Sequence, residues 1–191
     1  NMVWSAYGEF EVASVSHRTT PSAGALYPLV VHLVLFNEAG DLRPAVYKVC
    51  YDRHSRVGFK CLSEDVNRVA RSFLNPTILA ETCGLIVVGG SLAFLGEKYG
   101  NRSLIYLPLE AGHVAQNILM SAVECGVATL EIGGFVDVLL AEALGLTKAY
   151  RSLTSIAFVR ECKALEQPSK TLQVSWEVPM SGEYLLQFSI A

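Results

Sequence analysis

Four short stretches of this sequence carry residue types that can do chemistry. Lys98 and Tyr99 lie side by side within Gly96-Glu-Lys-Tyr-Gly-Asn-Arg102. An amine held neutral in a pocket, with a phenol beside it, can take a proton from carbon while a bound oxidant takes the hydride. Pro21-Ser22-Ala23-Gly24, ahead of Ala25, Leu26 and Tyr27, offers a hydroxyl and backbone N–H groups at the start of a helical turn. Such a turn suits an anion or the polar edge of a heterocycle. Glu110, His113, Gln116 and Asn117 stand inside an apolar helical pattern, where polar groups need partners on a ligand or across a subunit interface. Glu131-Ile-Gly-Gly-Phe135 puts two glycines at the end of a strand, which lets a ligand approach the backbone. Taken singly, each stretch also has an ordinary structural meaning: a solvated loop lysine beside a packing tyrosine, an N-cap turn, a satisfied core histidine, a tight turn.

The elements that must hold these residues can be read from periodicity. Leu29 to Phe36 is almost wholly apolar and β-branched, as expected of a strand covered on both faces. After a turn at Asn37 to Asp41, Ala45 to Tyr51 alternates like a strand and should pair with it as a hairpin. Ser63 to Leu74 reads as a helix opened by Ser63, Glu64 and Asp65, and Thr77 to Glu81 as a short helical piece. Gly84 to Gly90 reads as another buried strand, and Ser91 to Arg102 as a loop carrying the lysine and tyrosine. The longest helical pattern runs from Tyr106 to about Cys125, stops at Gly126, and is apolar enough to be buried on most sides. Val127 to Ile132 is a strand, Val136 to Leu144 a helix closed by Gly145, and Thr154 to Val159 a last core strand. Gln167 to Ala191 is more polar, with strand-like pieces at Leu172 to Val178 and Tyr184 to Ile190, and is expected to lie on a partner. No repeat or linker divides the 191 residues, so one domain is expected. Because the chain begins at Asn1, it is expected to be a fragment of a longer protein.

Composition narrows the classes of function. A domain of this length buries roughly 70% of the surface its unfolded chain exposes. Hydrophobic residues make up 51% and charged residues 17%, a surplus of apolar surface that points to a subunit interface. With 15 basic and 18 acidic residues and no basic run, nucleic acid is not an expected partner. No apolar run reaches the roughly 18 residues of a membrane span, and no signal peptide is expected. The 5 cysteines form no Cys-x-x-Cys pair, and the 4 histidines show no ligand spacing. We therefore expect reduced thiols, a cytoplasmic location and no metal site.

In order and spacing, four motifs resemble one family. They are Arg-Thr-Thr-Pro-Ser-Ala-Gly-Ala-Leu-Tyr-Pro (Arg18 to Pro28), Lys-Tyr-Gly-Asn-Arg (Lys98 to Arg102), Glu-Ala-Gly-His-Val-Ala-Gln-Asn (Glu110 to Asn117) and Ile-Gly-Gly-Phe (Ile132 to Phe135). Between about Trp4 and Val159 the chain is similar to the SagB-type azoline dehydrogenases of the nitroreductase superfamily. The resemblance implies an α+β, nitroreductase-like fold: a mostly antiparallel sheet, flanking helices, and the long helix at the interface of a homodimer. It implies FMN bound between subunits, with Pro21, Ser22, Ala23, Gly24 and Leu26 lining the flavin from one and Gly133 and Gly134 approaching it from the other. It also places His113 where the long helix passes the ring and makes Arg18 and Arg102 candidates for the ribityl phosphate.

Lys98 and Tyr99 match the pair with which the azoline branch works and which plain nitroreductases lack. The implied reaction converts a thiazoline or oxazoline ring in a peptide or carrier-bound intermediate to thiazole or oxazole, with dioxygen reoxidising the flavin. A further Arg-Ser-x-Arg-like phosphate segment is usual ahead of the position of Trp4, and a second arginine is often found where this chain has Ile105. Two other readings stay open at this point: an NAD(P)H-dependent nitro or quinone reductase on the same fold, and a scaffold domain without cofactor.

Overall fold

The computed structural model describes residues 2–146 and 150–159. The apolar run in the middle of the sheet does what its composition dictates. Strand β3 (Leu29–Leu35) is buried along nearly its whole length and pairs antiparallel with β4 (Ala45–Tyr51) on one side and β6 (Gly84–Ser91) on the other. With β5 (Val57–Ser63), β7 (Ala128–Ile132) and β8 (Tyr150–Val159) they form a six-stranded sheet in the order β5-β4-β3-β6-β8-β7, every pair antiparallel.

Helices cover both faces. One face packs Leu29, Val31, Leu33, Tyr47, Ile86 and Val88 against α1 (Met2–Tyr7) and the inner stripe of α4 (Ser103–Glu124), namely Leu107, Ala111, Val114 and Ile118. The other packs Val34, Leu85, Val87 and Ala157 against α2 (Val66–Ala70), where Val69 is buried, and α5 (Asp137–Ala143), where Leu140 is buried. The expected α+β architecture with a mostly antiparallel sheet is therefore present.

Several local expectations are corrected. Ser91 to Arg102 is not a loop. It is helix α3 (Leu92–Tyr99), capped by Ser91 Oγ accepting the Phe94 N–H at 3.2 Å, and then a 3-10 turn over Gly100–Arg102. Gly96 and Gly100 mimic a breaker pair in sequence, but only Gly100, at φ +51, ends the helix. The helix expected at Ser63 to Leu74 shrinks to α2, because Ser63 closes β5. Strand β5 was not legible because most of its residues face solvent, so no apolar alternation marks it.

An antiparallel hairpin, β1 (Glu9–Val12) with β2 (Val15–Arg18), also precedes the Pro21–Gly24 turn. Its turn puts Ala13 and Ser14 at positive φ without the Asn-Gly signal such turns favour. Helix α4 starts at Ser103 and is buried on one face, not on most sides. Leu104, Ile105, Leu109, Met120 and Val123 are all more than half exposed, Val123 at 80%. The tail read as Gln167 to Ala191, and Cys162 with it, lie outside the described residues.

Candidate active site

The site is assembled where the turn after β2 meets the end of α3. Gly24 has φ +61, in the left-handed region that favours glycine. Its missing side chain is the space the lysine and tyrosine fill. A β-carbon on Gly24 would lie 2.7 Å from Lys98 Nζ and closer still to Tyr99 Oη. The two segments singled out for chemistry, 74 residues apart in sequence, are thus in contact. Ala25 and Tyr27 also have positive φ, at 52° and 51°, so two non-glycine residues of this short turn stand in a strained backbone region.

Lys98 is exposed and Tyr99 half-buried, with the lysine nitrogen 5.4 Å from the tyrosine ring centre. Tyr106, one turn into α4, meets the Tyr99 ring edge-on at 5.2 Å and 90°, a geometry aromatic pairs favour. Arg102 donates to Tyr106 Oη at 3.2 Å. Ala23, Leu26, Tyr99 and Tyr106 all pack against the core cluster beneath α4, so the same apolar contacts fix both the turn and the lysine-bearing helix end.

Glu110 lies under this arrangement, 2% exposed on the inner face of α4. It accepts hydrogen bonds from Tyr7 Oη and, at 2.6 Å, from Ser22 Oγ. Burial holds its carboxyl above the usual carboxylate range, opposed by those two hydrogen bonds and by the charges of Arg18 and His113. Burial, reinforced by Glu110, likewise pushes the Tyr7 phenol well above its ordinary value.

The remaining predicted site residues fall in three places. Arg18 is committed within the chain: it donates to the Tyr7 carbonyl at 2.9 Å, pairs with Glu9 at 3.5 Å, and lies over the Tyr7 ring at 4.5 Å, with Tyr27 and Tyr51 flanking at 5.3 and 5.6 Å. His113 is on the outer, exposed face of α4. Gly133 and Gly134 sit between β7 and α5, where a β-carbon on either would meet nothing within 4 Å. Their loop is tied to the α2 side by Leu74 N to Gly134 O and Val136 N to Ser72 O, at 2.9 and 2.8 Å. No hydrogen bond joins that loop to the Pro21–Gly24 turn among the described residues.

Sequence reasoning missed Tyr7, Tyr27 and Tyr51 as the box around Arg18, and Tyr106 as the brace on Tyr99. Tyr27 stands beside the Pro21–Gly24 turn in the sequence, but nothing local ties Tyr7, Tyr51 or Tyr106 to their partners. Among the described residues there is no cluster of three or more His, Cys, Asp or Glu side chains able to hold a metal ion, and no helix is long and apolar enough to cross a membrane.

A family model described as the nitroreductase family matches residues 3–158. This chain belongs to the nitroreductase family. A Methanocaldococcus jannaschii protein that carries a provisional nitroreductase name, MJ1384, is 31% identical over 138 residues, covering 72% of this chain and 67% of that protein. Among solved structures, a nitroreductase-type protein of Anabaena variabilis superposes with TM-score 0.70 at 24% identity, covering 82% of this chain and 33% of that one. A chain of the E. coli microcin synthetase McbBCD complex, solved with truncated pro-MccB17 bound, superposes with TM-score 0.69 at 22% identity, covering 84% of this chain and 62% of that one. The chain thus spans a third of the Anabaena chain and less than two thirds of the microcin synthetase chain. Its fold is the nitroreductase fold.

Proposed function

We propose that this chain is an FMN-dependent azoline dehydrogenase, oxidising thiazoline or oxazoline rings of a peptide or carrier-bound substrate to thiazole or oxazole. The observation that carries the reading is the contact of Lys98 and Tyr99 with Gly24, which brings an amine and a phenol against the turn expected to line a flavin. Membership of a flavin-using family supports the cofactor, and likeness to a chain of a complex solved with a truncated pro-peptide bound supports a peptide substrate.

The residues present suit a planar heterocycle. Pro21, Gly24 and Ala25 form an exposed backbone surface, and Gly133 and Gly134 leave open space on their side. When bound, FMN supplies the two-electron acceptor for the hydride. Lys98 Nζ takes the proton from one ring carbon as the neighbouring carbon gives up its hydrogen with both bonding electrons, and a carbon–carbon double bond closes the aromatic ring. Tyr99 holds the amine and the substrate ring in line, itself fixed by Tyr106 and Gly24. Of the two phosphate candidates, Arg102 is exposed and Arg18 is engaged by Glu9 and the tyrosines.

Because the Gly133–Gly134 loop and the turn belong to different sides of the chain, we assign them to facing sites in a homodimer. The uncovered apolar stripe Leu104, Ile105, Leu109, Met120 and Val123 would form the contact. The test is a purified full chain mixed with excess FMN and then with a thiazoline-containing peptide under air. A flavin absorbance spectrum and a mass loss of two hydrogens per ring are expected. Rapid flavin reduction by NADH or NADPH without azoline turnover would instead indicate a nitro or quinone reductase, and a protein left colourless would indicate a cofactor-free scaffold.

A further inference from the structure

The chemistry just proposed leaves one buried group unused, the carboxylate of Glu110. An ionised carboxylate out of water costs several kcal/mol unless hydrogen bonds replace its hydration, so its 2% exposure needs a reason. Both oxygens are taken, Oε1 by Tyr7 Oη and Oε2 by Ser22 Oγ. Each donor is itself an anchor. Tyr7 Oη accepts the Leu29 N–H at 3.4 Å, at the head of β3, and Ser22 Oγ accepts the Tyr27 N–H at 2.9 Å. One carboxylate therefore fastens α1, the Pro21–Gly24 turn and the start of β3 to α4. The turn has need of it, since Gly24, Ala25 and Tyr27 all sit at positive φ, at roughly 1–2 kcal/mol for each residue that is not glycine.

We infer that Glu110 is the positioning residue of the flavin-lining turn: acting through Ser22, it holds the turn with Gly24, Ala25 and Tyr27 at positive φ and so keeps Gly24 against Lys98 and Tyr99. The inference rests on the reading that this turn lines a flavin. It also depends on ionisation, because Tyr7 and Ser22 both donate. An acid or an amide in place of the carboxylate brings donors of its own and loses acceptor capacity, so one hydroxyl would have to turn away. The groups that act on the carboxylate are the Tyr7 phenol from α1, the Ser22 hydroxyl from the turn, the Arg18 guanidinium from β2 and, by charge alone from the exposed side of α4, His113.

Three full-chain variants test this: Glu110→Gln, Ser22→Ala and the pair together. FMN affinity is expected to fall about ten-fold in each single variant, the size of one lost hydrogen bond to a charged group. The pair should be no weaker than the worse single, since both changes remove the same contact. In the flavin-free protein, the Gly24 amide and Tyr99 ring NMR signals should shift in all three, while Ser121→Ala, on the same helix face, leaves them in place. If Glu110→Gln does not fold, Ser22→Ala carries the same comparison. Unchanged FMN affinity with Gly24 and Tyr99 signals unmoved in the folded variants overturns the inference. A parent protein that binds no FMN overturns the flavin reading instead, and the NMR comparison then decides the role of Glu110 alone.

Discussion

The phenol of Tyr99 occupies the space into which a side chain on Gly24 would project. The glycine is required twice over, by its φ of +61 and by this contact. Gly24→Ala should cost about 1–2 kcal/mol of stability from the left-handed backbone alone and displace Tyr99 or Lys98 as well. Azoline turnover is expected to fall by at least about a hundred-fold, since a 1 Å misplacement has that effect. Thermal unfolding and a turnover assay on the same preparation separate the two losses.

Tyr106 should matter through Tyr99. Tyr106→Ala removes an edge-on ring contact worth about 0.5–1.5 kcal/mol, and with it the anchor of the Arg102 guanidinium. We expect kcat to drop several-fold, while Tyr106→Phe, which keeps the ring, retains most of the parent rate. Steady-state kinetics on the two variants decides.

Arg102 can be tested by taking the phosphate away from the ligand. Arg102→Ala should weaken FMN binding by about ten-fold, the scale of one charge-assisted contact, and leave riboflavin binding as it was. Equal losses for both flavins would remove Arg102 from the phosphate site. Fluorescence titration measures both.

The outer stripe of α4 carries the dimer prediction. Leu109→Glu together with Val123→Arg places charges on residues 56% and 80% exposed in the single chain, so the fold should be unaffected. If a second copy covers this face, light scattering should show a dimer for the parent and a monomer for the variant, with flavin lost on separation. A variant that stays dimeric would place the interface elsewhere.

A core histidine sets a pH dependence of stability. His32 is 2% exposed, its Nδ1 has no hydrogen-bond partner, and burial, with Lys48 nearby, lowers its pKa from 6.5 to about 4. A depressed pKa means that the folded state resists protonation. The stability contribution is complete above pH 6.5 and is lost as pH falls through that value toward 4, amounting to at most about 3 kcal/mol. Urea midpoints between pH 4 and 7 should fall for the parent and stay flatter for His32→Leu.

The strands and helices that were legible in sequence are those whose burial repeats regularly. β3 and β6 are covered on both faces, and the inner stripe of α4 recurs every three to four residues. What failed was read from elements without such a signal: β5 and the β1–β2 hairpin face solvent, and α3 hides behind two glycines. For the site, the motifs named Pro21–Gly24 and Lys98–Tyr99, but only tertiary structure could bring them together. The role of Glu110 was half visible, as a polar residue in an apolar helix, because its partners Tyr7 and Ser22 lie 103 and 88 residues away. The apolar surplus exceeds what one core takes up: part of it lies on the outer face of α4, and Leu74, Leu130, Val138 and Leu139 are exposed elsewhere.

The most direct test of the central claim is Lys98→Ala. With FMN bound and the fold intact by circular dichroism, its rate of thiazole formation should fall by about a hundred- to ten-thousand-fold, the contribution of a positioned general base. A yellow, folded Lys98→Ala protein that oxidised the azoline at the parent rate would contradict the account.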